Sequence, residues 1–167
     1  MRLRSLVAGT ALAATSVLTL AGPAAAAPEP VYQADVVGVV QVDRGDRTEA
    51  RVQVRYRCVP GEELGLWVSV KQTPDRTADP RLAEEGSSGI SAAWSDSHRN
   101  AFTCDGRTHL GTFTVDQTEP WYVPGQARPA QGPLAKGEAY VQFCLTDPDA
   151  AGPEGLLLSH SEFVHVR

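Results

Sequence analysis

The sequence holds little of what usually announces a function. It has three cysteines, one methionine and 7% aromatic residues, and its arginines far outnumber its lysines. No stretch beyond residue 27 is apolar enough to span a membrane, which excludes an integral segment there. No convincing amphipathic helix is present. Gly86-Ser87-Ser88-Gly89 is not Gly-x-Ser-x-Gly and stands in a polar loop, so the strand-to-helix nucleophile elbow is missing. A phosphate-binding Gly-rich loop is missing too. Positive charge is scarce: the formal net charge is −5, a poor match to nucleic acid or an anionic membrane. The preference for arginine, with abundant Ala, Gly, Pro and Val, is a mark of GC-rich coding, and the arginines carry no recognition reading.

The N-terminus is informative. Met1-Arg2-Leu3-Arg4 is a short basic region, Leu6 to Leu20 is uncharged and mostly apolar, and Gly22-Pro23 precedes Ala24-Ala25-Ala26-Ala27. That order reads as a secretory signal peptide at 1–26, cut after Ala26. The run is shorter than the ~20 residues a transmembrane helix needs. Cleavage removes two arginines and no acids, taking the net charge from −5 to −7 and leaving 141 residues, enough for one domain with a sizeable core. The expected product is a secreted, extracellular protein with a loose leader at 27–35 and one domain at 36–167.

Within that domain the clearest stretch is Ala50-Arg51-Val52-Gln53-Val54-Arg55-Tyr56-Arg57-Cys58. Apolar side chains occupy the even positions and polar ones the odd, the period of a strand with one buried face. Leu64, Leu66, Val68 and Val70 repeat the pattern, with Trp67 on the less regular face. Further strands are expected at 36–42, 89–94, 100–104, 108–115, 139–145 and 156–166. Polar loops, with one helical turn at 81–85, join them. Seven or eight short strands with a turn signal every 8–12 residues predict an all-β, immunoglobulin-like antiparallel β-sandwich, with a small barrel as the rival. Val52, Val54, Tyr56, Leu66, Val68, Val70, Val141 and Phe143 should share the core. Leu134 and Tyr140 have the spacing of a tyrosine corner. The Pro-rich stretch at 120–133 should be laid over the core. Arg44-Gly45-Asp46 reads as a hairpin loop in which Gly supplies a positive φ.

Candidate chemistry is thin. Two strand residues, His160 and Glu162, are too few for zinc, and Asp147 and Asp149 lack the ligand density of a calcium loop. Trp67, Trp94 and Trp121 could form a sugar platform, although packing is the commoner use and is assigned to at least two of them. No catalytic, cofactor-binding or metal-ligating residue emerges, and no cofactor is implied. Three cysteines allow three pairings. Cys58 and Cys104 each end a strand before a Gly-containing turn, whereas Cys58–Cys144 would imitate the bridge of antibody domains.

Tyr56-Arg57-Cys58-x-Pro60-Gly61, Val68-Ser69-Val70-Lys71-Gln72, Cys104-Asp105-Gly106-x-x-His109 and Pro124-Gly125 together resemble a group of exported actinobacterial β-sandwich domains with no assigned function. The resemblance covers roughly residues 36–166 and implies a Cys58–Cys104 disulfide; Cys144 is not part of the pattern and, left over by that pairing, is expected to be a shielded thiol. Gly111 stands where many members have Trp. Separately, the stretch 145–155 is similar to the last hairpin of the enediyne antibiotic apoproteins, exported sandwiches that hold a chromophore in a cleft. Their two short disulfide loops have no counterpart here. The expected function is therefore a non-enzymatic binding or envelope-associated module for an extracellular protein, glycan or small molecule. A small-molecule carrier or a small exported hydrolase are the alternatives.

Overall fold

The structure, a computed structural model, describes residues 32–60, 63–84, 87–99, 101–119, 127–150 and 155–167. The expected signal peptide, most of the leader and Trp121 lie outside the described residues.

The chain is all-β and forms a β-sandwich of two antiparallel sheets. The first sheet is centred on β3 (Ala50–Arg57). On one side β3 pairs with β1 (Gln33–Val36) and β2 (Gln41–Val42), which together make one broken edge, and on the other with β6 (His109–Val115). The second sheet runs β5 (Ala93–Arg99), β4 (Gly65–Gln72), β7 (Gly137–Thr146), β8 (Leu156–Val166). All eight residues expected in the core are buried, none more than 4% exposed. On β3 the even positions are buried and the odd exposed, because only one face of the first sheet meets the other.

Both seams between the sheets are pinned. At Gly38 the backbone takes φ 79°, a left-handed conformation that glycine adopts freely, and the edge strand leaves β3 there. Val40 then bridges Val166 of β8 in parallel, with Arg167 N–H donating to Val40 O at 2.9 Å. At the opposite seam Asp96 of β5 exchanges backbone hydrogen bonds of 2.8 and 3.1 Å with Asp116. A disulfide joins Cys58 to Cys104 with Cα atoms 5.4 Å apart, and Cys144 is a buried free thiol. The bridge ties the end of β3 to the chain entering β6.

Several expectations need correction. The leader was to run to residue 35, yet β1 begins at Gln33, and the single strand over 36–42 is two short strands broken at Gly38. The two weak strands at 89–94 and 100–104 are replaced by one, β5, and residues 101–104 are not strand. β5 faces the core with Ala93, Ser95 and Ser97, which pair with the inward residues of β4, and it turns Trp94, Asp96 and His98 outward. Its polarity is inverted relative to an ordinary half-buried strand. Ser95 is fully buried, and its hydroxyl is satisfied by Thr48 O at 2.9 Å. Tyr140 faces outward too, edge-on to Phe163 at 5.4 Å, and its hydroxyl bonds to no described residue, so it forms no tyrosine corner. The Arg44-Gly45-Asp46 loop needs no positive φ at Gly45. Asp43 Oδ1 instead accepts from the N–H groups of Gly45 and Asp46 at 2.7 and 3.0 Å. The described part of the Pro-rich stretch does reach the core, where Leu134 is fully buried.

Candidate functional site

A sheet whose outer face were simply wet would alternate in burial. β4 does not: from Val68 to Gln72 every residue is buried. Its outer face is therefore covered, and two elements do the covering. The connection from β4 to β5 contains a short 3-10 helix at Pro80–Ala83, capped by Asp79, and it lays Leu82 and Ser87 over the sheet. The segment around Arg128 is the second, its guanidinium 2.7 Å from the outward Asp96 carboxylate. On the core side Gln72 clamps the chain before β7, donating to Ala135 O at 2.8 Å and accepting from Ala135 N–H at 2.9 Å.

The register of β5, β4 and β7 sets nine outward side chains in three rows. Trp94, Lys71 and Tyr140 form the first, Asp96, Ser69 and Gln142 the second, and His98, Trp67 and Cys144 the third. Aromatic rings thus flank a polar middle row. All but Ser69 and Tyr140 line a cleft of about 580 Å³, walled by Ala83 and Glu84 at one end and by Pro148 and Leu156 at the other. That volume suits a small organic molecule. Leu156 is one of two large apolar side chains left exposed among the described residues, and it stands on this rim.

The polar groups are held individually. Lys71 is 5% exposed; its Nζ donates to Ser87 Oγ at 2.9 Å and to Leu82 O at 3.4 Å and sits 4.1 Å from the centre of the Trp94 ring. Burial pushes its ammonium down to about 8, against the smaller opposing fields of Asp96 and Cys144. Asp96 is buried beside it, and burial raises its carboxyl pKa despite the Arg128 guanidinium, whose Nη1 lies 2.7 Å from Oδ1. Arg128 also donates to Trp94 O at 2.6 Å, so it fixes β5 as well as the carboxylate. Burial raises the Cys144 thiol, whose Sγ is 3.7 Å from Ser159 Oγ. His98 stacks on Trp67 with ring centres 6.1 Å apart. Ser69 Oγ, fully buried in the middle row, has no hydrogen-bond partner among the described residues.

Two of the three tryptophans stand at the cleft. Packing is expected of at least two of the three: Trp94 is indeed packed, 3% exposed beneath Lys71, but it also borders the cleft, as does the partly buried Trp67. The remaining candidates are dispersed. His109 pairs with Asp105 at 2.7 Å and His165 with Glu138 at 2.9 Å, while His160 and Glu162 sit 3.6 Å apart at the β8 edge. Glu162 is not on a freely solvated face, because its Oε1 accepts from Val36 N–H across the seam at 3.0 Å. Asp147 accepts from Asp149 N–H in a local turn. Among the described residues no three His, Cys, Asp or Glu side chains gather as a metal site would require. No described helix is long and apolar enough to cross a membrane. The sequence matches no protein-family model and no curated protein.

Proposed function

We propose that this chain is an exported β-sandwich of immunoglobulin-like topology that binds a small, largely apolar molecule without converting it. The observation that carries the reading is the cleft on the outer face of the second sheet, about 580 Å³ in volume and floored by Trp67 and Trp94. A rim leucine left in solvent and two covering segments that leave this space open are what a bound apolar body would use. The side chains around it are occupied in ways that favour binding over chemistry. Asp96 is neutralised by Arg128, and the Cys144 thiol is held protonated by burial.

The strand order and the parallel Val40–Val166 bridge support the immunoglobulin-like assignment. Export is supported by the signal-peptide pattern at 1–26 and by a disulfide, a bond that persists in oxidising compartments. N-terminal sequencing of exported material should read Ala27 first. The similarity of residues 145–155 to enediyne apoproteins points toward a carrier, though this cleft lies on a sheet face and not among end loops.

Fluorescence titration with the neutral arene N-phenyl-1-naphthylamine tests the binding reading. One saturable site per chain, with energy transfer from tryptophan to the probe, is expected. Absence of saturable binding to the folded protein would contradict it.

A further inference from the structure

The cleft wall contains a buried ammonium that forms no ion pair with any described residue. The chain has only two lysines, Lys71 and Lys136. Lys136 is exposed, as lysines usually are, whereas Lys71 lies in the cleft wall at 5% exposure. Buried ammonium groups are ordinarily paired with a carboxylate. Lys71 has a hydroxyl, a carbonyl and a ring face, but it enters no ion pair among the described residues. None of its described charged or titratable neighbours forms an ion pair with it. Asp96, on β5, is paired with Arg128 at 2.7 Å. From β7 come only the Tyr140 ring, centred 5.9 Å from Nζ, and the protonated Cys144 thiol. His98 sits two rows away, stacked on Trp67. Glu84 in the wall forms no ion pair with Lys71. Lys71 thus brings a buried ammonium with no described ion-pair partner to the edge of a tryptophan-lined space.

We infer that the molecule held in the cleft carries an anionic group on a flat apolar body, and that Lys71 supplies its counter-charge. The rings of Trp67 and Trp94 take the body, and the ammonium takes a carboxylate, sulfonate or phosphate through a charge-assisted hydrogen bond. This rests on the cleft being a ligand site. It adds a selection rule that the apolar lining alone would not give: between two ligands of the same shape, the acid is preferred.

A matched pair of probes separates the two claims. 8-Anilinonaphthalene-1-sulfonate and N-phenyl-1-naphthylamine share one arene and differ by the sulfonate. Both should saturate one site on the folded protein at pH 7, with the sulfonate bound more tightly by about tenfold or more, the scale of a hydrogen bond to a charged group. Lys71→Met should bring the ratio of the two affinities, both measured on that variant, to about one, and Lys136→Met, outside the cleft, should leave the wild-type ratio in place. Because the Lys71 ammonium titrates near pH 8, raising the pH from 7 through that value should weaken the sulfonate alone. Thermal melting establishes that the Lys71→Met protein is folded; if it is not, the pH series on the wild-type protein decides. Equal affinities for the two probes, or a preference that survives Lys71→Met, would overturn the inference and leave the cleft reading standing. Failure of both probes to bind would remove the cleft reading, and the inference with it.

Discussion

Lys71 places a charge where the fold disfavours it, and that has a consequence for stability apart from any ligand. Its ammonium is pushed from the ordinary 10.5 down to about 8 in the folded chain, chiefly by burial. The unfolded chain therefore holds that proton more tightly. Below pH 8 both states carry it, and the folded state bears a penalty of about 3 kcal/mol at 1.36 kcal/mol per pKa unit. Between pH 8 and 10.5 the unfolded state binds more protons, so stability rises with pH across this window. Compared with Lys71→Met, the wild-type urea midpoint should climb through this range, and parallel profiles for the two proteins would show that Lys71 is not desolvated. Gly111 shows a residue whose meaning emerges only in the fold. A Cβ there would stand 2.7 Å from the Phe113 ring and 3.1 Å from that of Tyr56. Two core rings thus fill the space that the Trp of the resembling domains would need.

The elements that the sequence makes plain are those with one wet face. β3 alternates over its whole length because its outer side meets only solvent, and the same regularity makes its register testable. Val54 is fully buried, and Val54→Asp would place an unpaired carboxylate between the sheets. We expect a loss above about 4 kcal/mol, comparable to the stability of a domain this size. An unchanged cooperative melt would refute the register. β5 was illegible for the opposite reason. It turns serines inward and its tryptophan outward, so hydrophobic alternation read at face value divides it into two poor strands. Only the Thr48 carbonyl, brought from the other sheet, makes a buried Ser95 acceptable. The disulfide was legible as a position, since both cysteines stand at strand ends before turns. Replacing Cys58 and Cys104 with alanine should cost roughly 3–4 kcal/mol by the loop-entropy argument. Cys144→Ala should cost far less. A non-reducing peptide map that links Cys144 to either of the others would contradict the pairing.

At the scale of the whole molecule, the sandwich could be read from strand count and turn spacing, but the cleft could not. Its lining comes from three strands that are distant in sequence, together with a 3-10 helix and the start of β8. No short motif holds two of its rings: Trp67 and Trp94 meet on one face only through the register of β4 with β5. One signal was present. The odd positions Trp67, Ser69 and Lys71 form a face too aromatic for solvent and too polar for a core, and such a mixed face is what a ligand site on a sheet requires. The central claim is that this face binds the ligand, and the indole N–H resonances give the most direct test. The chain has three tryptophans, so a nitrogen-15-labelled sample gives three such signals, assignable by single Trp→Phe variants. On saturation with N-phenyl-1-naphthylamine, the Trp67 and Trp94 signals should shift together, while backbone amides of the exposed arginine face of β3 stay in place. Saturable binding that shifts the β3 face and leaves both indole signals unmoved would contradict it.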